Sequence, residues 1–120
     1  ASNDLRNMNE ATATILTNPE MLAIDQDALG EQAKPVYKMG GIRVYLKHLS
    51  NGQLAVAVLN TSKSERKFDL KGSLLGIKNK NAVRDVWKHA DIGEIKDKMS
   101  LVLGPHETIV MTLRQLTTID

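Results

Sequence analysis

The chain contains no cysteine in its 120 residues. Disulfides, thiol nucleophiles and cysteine-based zinc sites are therefore excluded. Aromatic side chains are almost as scarce, with one Trp, two Tyr and one Phe. Leu, Ile, Val and Met must supply most of the packing, and a hydrophobic content of 42% is enough for a globular core. No apolar run approaches the roughly 18 residues of a membrane-spanning helix. Charge of one sign does not accumulate either. Sixteen basic and fourteen acidic residues are scattered to a net +2, which leaves no basic stripe for nucleic acid. Neither a membrane nor a nucleic acid is expected as a partner. The length sets a limit of one ordinary domain.

What is present divides at Gly30. Before it the pattern is helical. Asn7 as a cap puts Glu10 at the third helical position, a capping-box arrangement, and Met8, Ala11, Ile15 and Leu16 form one apolar stripe. Asn18-Pro19-Glu20 starts a second short helix, with Asn18 capping, Pro19 in the first turn and Glu20 near the positive helix end. Met21, Leu22 and Ile24 give this helix an apolar side, and Gly30 stops it. A helix this short needs a surface to pack on. A chain that opens in helical packing and then turns wholly to β structure reads as part of something larger.

Residues 31–35 form a linker ending at Pro35, and a period of two follows. Gly40-Gly41 marks a hairpin after Val36 to Met39. Ile42 to Leu49 alternates, and Asn51-Gly52 predicts a two-residue turn. Gln53 to Asn60 is apolar on both sides and predicts a central strand covered on both faces. Further strands are expected at 65–70, 82–87, 91–96 (an edge), 100–103 and 107–113, with a short apolar turn at 73–77 and a corner at Gly104-Pro105-His106. Seven or eight strands at this spacing predict a mainly β fold, an antiparallel Greek-key-type β-sandwich.

The chemistry-bearing residues give no catalytic signature. His48, His89 and His106 lie in separate segments without ligand spacing, so structural or solvent-exposed roles are expected. Asp25, Asp27 and Gly30 match the first, third and sixth places of an EF-hand loop, but Leu29 and Val36 occupy its fifth and twelfth, so the pattern fails. Asp85 and Asp91 could form a carboxylate pair, yet surface placement is the simpler expectation. No P-loop, G-x-S-x-G or dinucleotide fingerprint occurs. Trp87, the single tryptophan, is expected as a core anchor or edge residue; a sugar-stacking platform is the alternative.

Two regions carry more specific wording. Ser2-Asn3-Asp4-Leu5-Arg6-Asn7-Met8, then Ile15 to Glu20, then Ala23-Ile24-Asp25-Gln26-Asp27-Ala28-Leu29-Gly30 closely resemble glycoside hydrolase family 27, the α-galactosidases and α-N-acetylgalactosaminidases. The family pattern is S-N-D-L-R-x-M, a helix, then A-I-N-Q-D-P-L-G, so Asp25 and Ala28 depart from it. Leu54 to Asn60 is similar to the family strand A-V-A-L-L-N. Val83-Arg84-Asp85-Val86-Trp87 with Asp91-Ile92-Gly93 resembles V-R-D-L-W…D-L-G. Pro105 to Met111 resembles the closing P-H-G-x-x-x-L strand, with Glu107 in place of Gly.

The resemblance implies a division into residues 1–33, the last helices of a catalytic (β/α)₈ barrel, and residues 34–120, a C-terminal antiparallel β-sandwich. It implies a parent enzyme that removes terminal α-linked galactose with retention, with no cofactor, and that is secreted or periplasmic. Such an enzyme needs two carboxyl groups about 5 Å apart, and the family supplies them from earlier barrel strands. No catalytic, substrate-binding or metal residue is therefore carried onto this chain. Asp4 and Arg6 are expected to serve packing or a salt bridge at the barrel rim. The expected partners are the barrel and, through it, an α-galactoside. A carbohydrate-binding or docking module is the alternative function. An exposed stripe at Met8, Ala11, Ile15 and Leu16 also predicts fraying or a homodimer through residues 1–30.

Overall fold

The computed structural model describes residues 19–25, 27 and 32–116. A short helix, α1 (Pro19–Asp25), precedes the β structure. The strands are β1 (Lys34–Met39), β2 (Ile42–His48), β3 (Leu54–Asn60) and β4 (Arg66–Lys71), followed by a single helical turn, α2 (Gly72–Leu75). Then come β5 (Asn81–Asp85), β6 (Ala90–Ile95), β7 (Lys98–Leu103) and β8 (Thr108–Gln115). The capping box at Asn7 and Glu10, the stripe from Met8 to Leu16, the cap at Asn18, the stop at Gly30, Asp4 and Arg6, and the dimer surface lie outside the described residues. So do the side chains of Met21 and Leu22.

The strands form two antiparallel layers. Six pair in the order β1-β2-β3-β8-β5-β6, and β4 pairs with β7 in a second, two-stranded sheet. β5, β6 and β7 run in sequence, and β8 returns to lie beside β5. The chain thus crosses from the large sheet to the small one after β6 and back after β7, without β6 and β7 pairing. Alternation decides which side chains meet between the layers. Val44, Val56, Val58, Val83, Met111 and Leu113 point inward from the large sheet, and Leu70, Leu101 and Leu103 answer from the small one. Leu75 of α2 joins the same core. All of these are aliphatic or thioether side chains, as the scarcity of aromatics requires.

β3 is central, flanked by β2 and β8. Val56 and Val58 are fully buried on its inner face, and Ala55 is buried on the outer face with Ala57 and Leu59 partly covered. Both faces are therefore covered, as a strand without polar alternation requires.

Four local expectations change. The turn between β2 and β3 is a five-residue loop, 49–53, rather than a two-residue one, because Leu49 leaves the strand and is buried on the side where α1 lies. Leu49 N–H donates to Gln53 O at 2.9 Å, Gly52 N–H donates to Leu49 O at 3.0 Å, and Gly52 takes a φ of +86°. This is the hairpin built on a turn plus one left-handed residue. Pro35 lies within β1 rather than in a linker, at the sheet edge, where a missing N–H costs no ladder bond. The strand expected at 82–87 ends at Asp85, for a reason given below. Residues 73–77 hold a helical turn, closed by Gly76 at a φ of +73°.

The two layers are tied at one end by Asn60, which is buried at 2% exposure. Its Nδ2 donates to Ser64 O at 2.8 Å, Gly104 O at 2.9 Å and Leu103 O at 3.2 Å. Its Oδ1 accepts from Ser62 N at 3.0 Å and Ser62 Oγ at 2.7 Å. One amide thus fixes the loop that leaves β3 for the small sheet and the corner that returns from β7 to β8. An amide suits this position because it offers donors and an acceptor together.

Candidate functional site

The polar groups gather where α1 meets the outer face of the large sheet. Glu20 stands in the first turn of α1. Its carboxylate accepts two bonds from Arg84 on β5, Nε to Oε2 at 3.0 Å and Nη2 to Oε1 at 2.8 Å. This fork-to-fork geometry fixes orientation as well as charge. His89 Nδ1 lies 2.9 Å from the same Oε1. Asp91 on β6 reaches Arg84 Nη1 at 3.4 Å. Further along, Lys47 Nζ donates to the Ile24 carbonyl at 2.7 Å, so a β2 cation meets the C-terminal end of α1. Asp27 accepts from Ser50 N and Ser50 Oγ, both at 2.8 Å.

Electrostatics follow the geometry. Hydrogen bonds from Arg84, and then from His89, hold the Glu20 carboxyl down at about 2, against a smaller opposing effect of burial. The Arg84 guanidinium is pushed upward by the same pair. A carboxylate so committed is an acceptor in a structural ion pair and is no general acid at neutral pH. Between α1 and the sheet lies a cleft of about 220 Å³, with Ile24, Leu49 and Val86 among its apolar lining and Glu20, Asp27 and Arg84 at its rim.

β5 ends beside this cluster because of Asp85. The residue is buried at 5% exposure, and its Oδ1 accepts from Trp87 N at 3.0 Å and Lys88 N at 2.9 Å. An aspartate that caps its own following turn stops the strand there. The turn carries His89 at a φ of +55°, which aims its ring at Glu20. Val86 is buried in this turn, and Trp87 is left 40% exposed.

The residues singled out from the sequence fare differently. Asp85 is buried, not on the surface, because two backbone N–H groups replace its water. It forms no pair with Asp91. Asp85 projects to the inner side with Val83, while Asp91 sits opposite Arg84 on the outer side. Trp87 is a turn residue at the end of the sandwich and not a core anchor. His48, His89 and His106 are exposed and lie on three separate elements. Among the described residues no group of three or more metal-ligating side chains comes together. Also among them, no helix is long and apolar enough to cross a membrane. Sequence reasoning missed the roles of Glu20, Arg84 and Lys47. The signal available was that Glu20 and Arg84 both lie inside segments with family wording.

Comparison with known proteins agrees with the layout. Residues 39–113 match the family described as the alpha galactosidase C-terminal beta sandwich domain. The chain belongs to this family. Alpha-galactosidase 2 of Arabidopsis thaliana is 32% identical over 112 residues, covering 92% of this chain and 28% of that protein. Alpha-galactosidase A of Cellvibrio japonicus is 32% identical over 125 residues, covering 94% of this chain and 31% of that protein. The chain therefore spans less than a third of either of these two relatives. Alpha-galactosidase I of Mortierella vinacea superposes with a TM-score of 0.80 at 21% identity over 91% of this chain and 30% of that one, a likeness of fold. A GH27 β-L-arabinopyranosidase from Geobacillus stearothermophilus gives 0.80 at 27% identity over 89% and 24%. The charged cluster of this sandwich thus sits where α1 meets the outer face of the large sheet.

Proposed function

We propose that this sandwich is the supporting domain of a retaining α-galactosidase-like glycosidase, inactive by itself, and that residues 1–33 belong to the last helices of the adjoining (β/α)₈ barrel. The observation that carries the reading is the three-point fastening of α1. Glu20 to Arg84, Ile24 O to Lys47 and Asp27 to Ser50 join two stretches of chain that are 64, 23 and 23 residues apart. Each fastening is polar and directional, so together they fix a helix in position and angle, which apolar contact alone does less well. The catalytic carboxylates would come from the barrel, and the sandwich would hold the last barrel helices in register beneath them. A parent substrate with a terminal α-linked galactose is the reading favoured by the curated relatives, all of which are α-galactosidases by name in the comparisons above.

The test uses the longer protein encoded with its upstream sequence. It is expected to hydrolyse an aryl α-galactoside, and to do so better than an aryl β-L-arabinopyranoside. Arg84→Met in that protein is expected to shorten the thermal half-life of activity while leaving KM near its starting value. An upstream sequence that encodes no barrel, or a longer protein with no action on either glycoside, overturns the proposal.

A further inference from the structure

We propose that the cavity at the end of the sandwich beside residues 76–79 is a binding subsite for a single neutral sugar ring. The chain leaves α2 on the side of the small sheet and crosses to β5 in the large one, and this crossing borders a cavity of about 330 Å³. That size lies at the lower end of small-molecule sites. Strand alternation decides which side chains face it. Asn81 shares the inner face of β5 with Val83, and Gln115 shares the inner face of β8 with Leu113. The two are register partners, so both line the same end of the large sheet. Leu54 on the inner face of β3 and Leu75 of α2 add an apolar wall.

Asn81 is the residue that points to a ligand. It is buried at 5% exposure, and its Nδ2 donates to the Asn79 carbonyl at 3.0 Å. Its Oδ1 accepts from no described residue. Among the described residues no side-chain nitrogen or oxygen is both sealed from solvent and unpaired, so this oxygen opens on the cavity that Asn81 lines. A nearly buried acceptor without a donor favours a molecule that brings one. The side-chain ends of Lys78, Asn79 and Gln115 are exposed around the mouth, and none of them bonds to a described residue. None of the described lining residues carries a carboxylate, so a cation meets the Lys78 ammonium with no counter-charge. An anion without hydrogens meets the Asn81 oxygen, which can only accept. A neutral ring bearing hydroxyls satisfies both ends of the set. It donates to Asn81 Oδ1, accepts from the amides and the ammonium, and lays its C–H groups on Leu54 and Leu75.

The experiment is an NMR titration of the 120-residue chain with galactose and melibiose, at concentrations that saturate a millimolar site. The choice of galactosides as probes rests on the proposed function; the site itself does not. Saturable shifts are expected at the amides of Gly76, Asn81 and Gln115. Asn81→Ala raises Kd about tenfold, on the order of one lost hydrogen bond. Gln115→Trp closes the mouth from an exposed strand end and abolishes the shifts with Asn81 still in place, which keeps the test open if Asn81→Ala unfolds the domain. Trp87→Ala, beyond the opposite end of β5, leaves them unchanged. Absence of saturable shifts with either sugar, or shifts that survive Gln115→Trp, overturns the proposal. Saturation by sulfate or by glycerol at lower concentration than by galactose also overturns it, the first in favour of an anion site and the second in favour of a site too small for a ring. Hydrolysis of an aryl α-galactoside by the longer protein is unaffected by Gln115→Trp, so a failure of this subsite is distinguishable from a failure of the glycosidase reading.

Discussion

At the scale of single residues, the strongest demands fall on the buried polar side chains Asn60 and Asp85. Asn60 reaches three carbonyls with the two hydrogens of its amide nitrogen, one shared between Leu103 and Gly104, and accepts two bonds, at 2% exposure. Asn60→Ala removes these bonds from the Leu103 and Gly104 carbonyls and from the Ser62 N–H, while the Ser64 carbonyl keeps the Ser62 hydroxyl. The expected cost is about 3 kcal/mol, since each buried orphan costs on the order of 1–3 kcal/mol and local relaxation recovers part of it. Chemical denaturation should show the midpoint falling with an unchanged m-value; a shift within the error of the wild-type midpoint would contradict the role given to this amide. Asp85 was legible in the sequence only as a carboxylate of unknown placement. Its burial depends on the two N–H groups of the turn that follows, and an Asx turn after a strand has no periodicity to announce it.

Glu20 supports a pH prediction at the same scale. Its carboxyl is depressed from an ordinary 4.5 to about 2 by Arg84 and His89. A depressed acid stabilises the docked state fully above its unfolded pKa and ceases to do so as pH falls through the folded value. Docking of α1 should therefore weaken between about pH 4.5 and pH 2. The pair is partly solvent-exposed, so the change is modest and screened by salt. Hydrogen exchange across residues 19–25 of wild type and Glu20→Gln checks this. The variant should exchange faster near neutrality and lack that part of the acid dependence.

At the scale of elements, the strands were legible because their alternation is driven by burial, and burial is what the two sheets provide. Gln53 to Asn60 reads as central from its lack of polar alternation, and β3 is central. Turns were less legible. Asn51-Gly52 looks like a two-residue hairpin, but the burial of Leu49 lengthens the loop, and that depends on tertiary packing. α2 was read as an apolar turn. Its start is fixed by Gly72, whose N–H donates to Asp97 O at 2.8 Å while its Cα lies against the Lys96 carbonyl. A Cβ at this position would run into that carbonyl oxygen. Gly72→Ala is thus expected to destabilise the domain by about 2 kcal/mol or more, through displacement of the β6–β7 turn. Thermal unfolding measures it: a drop of roughly 5–10 °C is expected for that cost, and an unchanged midpoint would show that the turn moves freely.

At the scale of the whole molecule, most buried apolar side chains fill the core between the sheets, a few line the cleft under α1, and the charged groups around that cleft serve attachment. The cluster at Glu20, Arg84, His89 and Asp91 could have been catalytic by composition. Its geometry argues otherwise, because the one depressed carboxylate is held by a bidentate guanidinium and the other acid, Asp91, is exposed and pairs with that same Arg. The sequence alone could not join Glu20 to Arg84, since 64 residues and an intervening sheet edge separate them. Family wording located both residues without explaining them, and the fastening of α1 supplies the physical reason. The central claim is that the reacting carboxyl pair of the parent glycosidase lies outside these 120 residues. The direct measurement is turnover of an aryl α-galactoside by the purified 120-residue chain beside the longer protein at equal molarity. The account predicts release by the longer protein and none above the uncatalysed rate by the chain; turnover by the chain that follows enzyme concentration and saturates with substrate would contradict it.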